Sequence, residues 1–141
     1  MGESHMIREI VHDPVLLARK SLEATKADIP VAEDLADTLR ANLDRCVGMA
    51  ANMIGVQKRI IAIARGPMVI AMLNPKILSR SGEYEAEEGC LSLAGTRKTK
   101  RYRSIRLSWL DLEMNEHVGT LDGFQAQIVQ HEIDHCDGIL I

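Results

Sequence analysis

The chain has 141 residues, of which 46% are hydrophobic and 26% are charged. This length predicts one compact domain, and the apolar content excludes intrinsic disorder. With 17 basic against 20 acidic residues, a formal net charge of -3 and only 3% aromatic residues, the composition argues against a general nucleic-acid binder and against a site built on stacked aromatic side chains.

The predicted elements run from a helix through several strands to a second helix. Apolar residues recur every four positions over residues 31–45, which predicts an amphipathic helix with Pro30 in its first turn and Asp28 as a candidate cap. Short apolar runs at 59–64 and 68–73 predict two strands, 79–82 a turn, 103–112 a strand and 119–123 a loop. Residues 124–137 have helical period and stop at Gly138. This order favours an α+β fold.

The sequence contains neither a membrane span nor a secretory signal, because its apolar runs stay far below the ~18 residues that a span requires. Three cysteines are too few and too scattered for a disulfide framework. We therefore expect a soluble protein of the reducing cytoplasm. Residues 1–5, before Met6, are typical of a cloning remnant, so the single predicted domain is residues 6–141.

The strongest chemical signal is the pair His131 and His135 inside the last predicted helix, with Glu132 between them. A spacing of four residues is about one helical turn, so both imidazoles project from one face and can bind one divalent ion. Glu132 lies beside them and can handle the proton of a bound water. Two partly exposed histidines on an amphipathic helix are the alternative interpretation.

A second signal is Cys90, in the segment Glu88-Gly89-Cys90-Leu91-Ser92. A thiolate there would complete a Cys-His-His set and leave one position for water, which is the open arrangement of a catalytic metal site. A small buried hydrophobe is the alternative for a cysteine taken alone. Between the first helix and the first strand, Gly48 with its small neighbours permits close approach of the backbone to a ligand. Taken alone, this segment is better explained as a tight helix-to-strand connection.

Together these segments resemble the three signature motifs of the peptide deformylases. The motifs are G-hydrophobic-G-hydrophobic-A-A-x-Q, E-G-C-hydrophobic-S and H-E-hydrophobic-D-H, and the second and third match in full. The first motif differs at two positions, since it opens with Cys46 in place of Gly and closes with Met53 in place of Gln. The resemblance covers nearly the whole chain from about Val11.

The resemblance implies a peptide-deformylase-like α+β fold, with antiparallel or mixed β-sheets around a central C-terminal helix that carries the HExxH motif. It implies a hydrolase that removes the N-formyl group from the N-terminal methionine of nascent polypeptides and releases formate. The implied cofactor is one divalent ion, Fe(II) in the first place and Zn(II), Ni(II) or Co(II) as substitutes, held by Cys90, His131 and His135. The implied partners are N-formylmethionyl peptides and the ribosome near the nascent-chain exit, with no DNA and no membrane.

The family also assigns roles around the metal. Glu132 would act as base and then as acid. Charge on the formyl oxygen would be stabilised by the metal, by the backbone N–H of Leu91 and by the motif Gln, whose place Met53 takes. A thioether cannot donate a hydrogen bond, so we expect turnover to be reduced by ~10²- to 10³-fold. Substrate contacts are expected from Val47, Gly48, Arg97 and Ile128, with Ile128 equally well explained as core.

Two other functions stay open at this point. Met53 and Cys46 would suit a deformylase-like paralogue that binds metal and formyl peptides without efficient turnover. A zinc peptidase would also use the HExxH helix, although Cys90 as a third ligand argues against it. Glu88 can pair with either Arg97 or Arg101 to hold the Cys90 turn in position.

Overall fold

The computed structural model describes residues 7–141, so the interpretation of residues 1–5 lies outside the described residues. One antiparallel sheet has the strand order β1-β2-β3-β4-β5. The strands are β1 (Gly48–Ala50), β2 (Ile60–Arg65), β3 (Met68–Gly89), β4 (Thr96–Leu110) and β5 (Glu116–Asp122). The α-helices are α1 (Pro14–Leu17), α2 (Ile29–Ala41) and α3 (Gly123–Cys136), and Lys26–Asp28 and Ala51–Ile54 form short 3₁₀ helices. None of the helices described is long and apolar enough to cross a membrane.

The sheet is covered by α2 on one face and by α3 on the other. Alternate residues of β2 point to opposite faces, and Ile60 accordingly lies in the core cluster with Leu35 of α2, whereas Ile61 lies in the cluster with Val129 of α3. Because both faces are buried, β2 has a nearly continuous apolar sequence rather than an alternating one. This layering places α3, with its histidines, directly against the sheet.

The first predicted helix exists but is shifted. It begins at Ile29 and ends at Ala41, whereas the sequence predicted residues 31–45. Asp28 occupies the N-cap position without a side-chain cap hydrogen bond, because its carboxylate accepts from the backbone N–H of Thr25 instead. Leu39 is fully buried, whereas residues 43–45, which the prediction included, are exposed.

The predicted turn at residues 79–82 is wrong, because β3 continues through it as far as Gly89 and pairs with β4 along most of its length. Residues 78–83 are all solvent-exposed, so an alternating apolar pattern is missing there. Opposite charges take its place across the ladder: Glu85 lies opposite Lys100 and Glu87 opposite Lys98. These charged pairs explain how a strand without apolar alternation can still pair in solvent.

The predicted loop at residues 119–123 is also wrong. Residues Glu116–Asp122 form the edge strand β5, which pairs with β4 from Ser104↔Asp122 to Leu110↔Glu116. Its polar composition reflects its position, since an edge strand has one neighbour and faces solvent. The predicted last helix is confirmed as Gly123–Cys136.

Candidate active site

The two histidines of α3 point to one position, as their spacing predicted. The Nε2 atoms of His131 and His135 are 3.1 Å apart, and the Sγ of Cys90 lies 3.3 Å from the Nε2 of His135. The three candidate donor atoms all lie within 4.8 Å of one another. Both imidazoles are buried and Cys90 is half-buried. The structure thus brings together the three predicted metal-binding residues.

Cys90 reaches this position because it follows the last residue of β3 directly. Gly89 still pairs with Thr96, and the chain then turns, with the N–H of Ser92 donating to the Sγ of Cys90 at 3.4 Å. This contact fixes the position of the sulfur in the turn. The turn also leaves the N–H of Leu91 without an acceptor among residues 7–141.

Glu88 holds His131 in place from behind. Its Oε1 accepts from the Nδ1 of His131 at 2.8 Å and from the Nη2 of Arg101 at 2.7 Å. Its Oε2 accepts from the Nε of Arg101 at 3.0 Å and from the Nε2 of Gln127 at 2.9 Å. With the proton fixed on Nδ1, the Nε2 of His131 is the atom turned towards Cys90 and His135.

These contacts change the pKa values of Glu88 and His131. Burial raises the pKa of Glu88, but hydrogen bonds from His131, Arg101 and Gln127 outweigh it and lower that pKa to about 2. Burial lowers the pKa of His131, but its hydrogen bonds to Cys90 and Glu88 outweigh burial and raise it to about 10. A cation binding at the Nε2 of His131 must therefore displace a proton.

Glu132 lies on the inner side of the same helix and is only 4% exposed. Burial raises its pKa to about 7, and its Oε1 has no hydrogen-bond partner among the described residues. Space beside it exists because residue 48 is a glycine: a Cβ at Gly48 would lie 2.8 Å from the Oε2 of Glu132 and 2.6 Å from the Cγ2 of Ile128. A buried carboxylate with a pKa near neutrality is suited to general base catalysis.

A cavity of about 500 Å³ opens in front of these groups, between the segment before β1, the turn after β3 and the N-terminal half of α3. Four of the residues predicted to contact substrate or its oxyanion line it, together with two of the predicted metal ligands and Glu132: Val47, Gly48, Leu91, Ile128, Cys90, His131 and Glu132. Cys46 also lines it, and its thiol donates to the carbonyl oxygen of Gly48 at 2.9 Å. Burial raises the pKa of this thiol to about 12.

Three predicted site residues do not line the cavity. One is His135, whose Nε2 nevertheless lies beside the Sγ of Cys90. The other two are Met53 and Arg97. Met53 is buried in the cluster under α2, and its sulfur accepts a hydrogen bond from the N–H of Ala50 at 3.4 Å. Arg97 donates to the carbonyl oxygen of Ala94 at 3.1 Å and lies opposite Glu88 in the strand ladder. Their roles towards substrate stay predictions.

Two contacts of this network were not predicted from the sequence. Gln127, four residues before His131, lines the cavity and binds Glu88. Asp134 accepts from the Nη1 of Arg101 at 2.7 Å and so shares the arginine with Glu88. The position of Gln127, one helical turn from a predicted ligand, could have indicated its contact with the site. No feature of the sequence near Asp134 indicated its contact with Arg101.

The donor set fits a divalent ion. Metal–ligand bonds of ~2.0–2.3 Å at tetrahedral angles place neighbouring donor atoms about 3.3–3.6 Å apart, close to the separations found between His135 and its two neighbours. Three candidate ligands with a buried glutamate beside them, open to a cavity, are the arrangement typical of a mononuclear metal-dependent hydrolase.

Comparisons with known proteins identify the family. The family model described as polypeptide deformylase matches residues 7–141. A peptide deformylase of Clostridium beijerinckii is 54% identical over 136 residues, which cover 96% of this chain and 100% of that protein. The crystal structure of a class I type b peptide deformylase from Acinetobacter baumannii with Met-Ala-Ser bound matches with a TM-score of 0.85 at 26% identity, covering 96% of this chain and 97% of the other. The peptide deformylase from Thermotoga maritima matches with a TM-score of 0.82 at 30% identity, covering 96% and 95%.

The chain belongs to the peptide deformylase family. It is a metal-dependent hydrolase that removes the N-formyl group from nascent peptides. The α+β fold predicted from the motifs is thereby confirmed, and the paralogue without turnover is not favoured.

Proposed function

We propose that Cys90, His131 and His135 hold the metal ion of this deformylase, with Fe(II) as the ion used in the cell and Zn(II), Ni(II) and Co(II) as substitutes. The convergence of one sulfur and two imidazole nitrogens within 4.8 Å carries the proposal. Thiolate and imidazole are ligands that suit all four of these ions, so metal supply decides between them. A divalent cation in this position supplies a Lewis acid that lowers the pKa of a water and polarises the formyl carbonyl.

In this proposal Glu132 moves the proton. It accepts a proton from the attacking water while the formyl carbon becomes tetrahedral, and it returns that proton to the amine nitrogen as the C–N bond breaks. The products are formate and a free N-terminus. Its burial, its unpartnered Oε1 and a pKa raised by burial to about 7 support a group that can both take and give a proton at neutral pH.

The N–H of Leu91 donates to the formyl oxygen as negative charge develops on it. Support comes from its position next to Cys90 and from the lack of an acceptor for it among residues 7–141. Val47, Gly48 and Ile128 form the wall against which the first residue of the substrate packs. Met53 leaves the oxyanion with one donor fewer than the family motif provides, and Arg97 binds the peptide beyond the cavity.

Residues 6–141 act as one domain, and the reaction takes place in the cytoplasm on chains that leave the ribosome. The substrate supports this setting, because an N-formyl group is carried by the first residue of a nascent polypeptide.

The direct test measures formate release from formyl-Met-Ala-Ser by protein loaded with a defined metal. Glu132→Gln is expected to reduce turnover at least 10²-fold, in line with the ~10²–10⁴-fold contribution of general acid–base groups. Metal content, measured by elemental analysis, should stay at one ion per chain in this variant. It should fall in Cys90→Ser. Unchanged turnover in Glu132→Gln would reject the proposed role.

A further inference from the structure

Gln127 gives the cavity wall a polar group that the reaction just described does not use. It lies on α3 four residues before His131, next to Ile128, and is half-buried at the cavity surface. The neighbouring part of the wall is apolar, formed by Leu91, Leu93, Phe124 and Ile128. A single amide among these side chains changes what the cavity can bind.

The orientation of this amide is fixed by Glu88. Arg101 donates to both oxygens of Glu88, at 2.7 and 3.0 Å, in a buried bidentate ion pair, so Glu88 is a carboxylate that only accepts hydrogen bonds. The amide of Gln127 must therefore turn its Nε2 to Glu88, and the two groups are 2.9 Å apart. The Oε1 of Gln127 therefore points away from Glu88. No described residue donates to that oxygen, and it is not among the fully buried atoms without a partner.

The place of Gln127 in the cavity wall follows from its spacing along α3 from the proposed metal site. Residues four apart on a helix have Cβ atoms about 5–6 Å apart, so Gln127 is one turn from His131. A peptide with its formyl group at the proposed metal site carries its first side chain three bonds away from the formyl carbon. A side chain as long as methionine or glutamine then ends near the level of Gln127.

We propose that Gln127 is a specificity-determining residue, and that its Oε1 accepts a hydrogen bond from the end of the substrate's first side chain. The enzyme then also deformylates peptides whose first residue is long and ends in an N–H donor, with glutamine as the best match to the length of methionine. This inference rests on the proposed assignment of the cavity as the substrate site. A methionine thioether cannot make this bond, because it has no donor.

The experiment compares kcat/KM for formyl-Gln-Ala-Ser and formyl-Met-Ala-Ser with metal-loaded enzyme. Gln127→Met keeps the volume and removes the acceptor, and it is expected to lower the glutamine-to-methionine ratio about tenfold, the size of one neutral hydrogen bond. Gln125→Met is the matched control, because Gln125 lies on the same helix outside the cavity and binds the carbonyl oxygen of Ala64. The control should leave the ratio unchanged.

A purely structural role would give a different result. If Gln127 only supports Glu88, the Gln127→Met substitution lowers kcat/KM for both peptides by the same factor. The glutamine-to-methionine ratio of kcat/KM then stays constant, which would overturn the proposal. Lack of formate release from both peptides by the wild type would instead contradict the proposed function of the site. The two failures are therefore distinguishable.

Two measurements do not depend on turnover of the variant. Wild-type enzyme should cleave formyl-Gln-Ala-Ser about tenfold faster than the same peptide with the methyl ester of glutamate, whose end accepts but cannot donate. Calorimetry measures the dissociation constants of the products Gln-Ala-Ser and Met-Ala-Ser. The Gln127→Met substitution should weaken the binding of Gln-Ala-Ser about tenfold more than it weakens the binding of Met-Ala-Ser. Equal values in both comparisons would overturn the proposal.

Discussion

Replacing Glu88 with glutamine would remove the carboxylate that holds Arg101 and His131 together. Glu88 and Arg101 are only 7% and 3% exposed. The pKa of Glu88 is about 2 instead of 4.5, and one pKa unit corresponds to ~1.4 kcal/mol, so its partners favour the ionised form by roughly 3 kcal/mol. Removing one member of a buried ion pair costs a similar ~3–5 kcal/mol. We expect Glu88→Gln to lower the free energy of unfolding of the metal-free protein by about 3 kcal/mol at pH 7.

Urea unfolding of the metal-free protein, followed by circular dichroism, measures this difference. Because the pKa of Glu88 is lowered by folding, its contribution is complete above pH 4.5 and is lost as the pH falls towards 2. The gap between wild type and variant should therefore shrink to less than half at pH 3. Glu85→Gln, an exposed position on the same strand, is the matched control and should change stability by less than about 0.5 kcal/mol. A gap that stays constant from pH 7 to pH 3 would refute the reasoning.

Three further predictions concern the cavity and its surroundings. Met53→Gln should raise turnover on formyl-Met-Ala-Ser by ~10- to 10³-fold, because an amide supplies the missing oxyanion donor; an unchanged rate would show that residue 53 does not face the oxyanion. Gly48→Ala should lower kcat/KM at least tenfold, since its Cβ would lie 2.6 Å from Ile128, while Gly119→Ala, which meets open space, should not. The pKa of Cys46, raised by burial to about 12, predicts that iodoacetamide at pH 8 alkylates it on the order of 100-fold more slowly in the native protein than after unfolding, as followed by mass spectrometry. Equal alkylation rates would contradict that value.

The parts of the molecule that sequence predicted are those encoded by local periodicity. His131 and His135 converge because a spacing of four fixes their common face on any helix, whatever the rest of the fold does. The first and last helices were found for the same reason, through apolar residues at helical spacing. Cys90 was a candidate because a thiolate completes an open Cys-His-His set, and the family motif strengthened that prediction. No local rule brings the end of a strand to a helix 41 residues further on.

The wrong predictions lie in exposed strands, where polar residues leave no periodic apolar pattern. The polar segment at residues 79–82 was interpreted as a turn, yet it continues β3, and the positive φ of 78° at Gly82 distorts the strand without ending it. There the ribbon is stabilised by cross-strand contacts, such as the guanidinium of Arg80 at 5.0 Å from the ring centre of Tyr102. A hydrophobic pattern does not record such contacts, so it does not predict where an exposed two-stranded ribbon ends.

The sequence offered both Arg97 and Arg101 as partners of Glu88, and the alternation of side chains along β4 does not distinguish them. Glu88 pairs directly with Arg97 in the ladder, so both point to the same face, and Arg101, four residues along β4, points there as well. Alternation alone therefore cannot choose between them. Helix α3 makes the difference, because Arg101 lies where Asp134 adds a second carboxylate, and a buried guanidinium with five donors is stabilised only where several acceptors meet. The nearer arginine in the ladder lacks that second acceptor among the described contacts and binds the carbonyl oxygen of Ala94 instead.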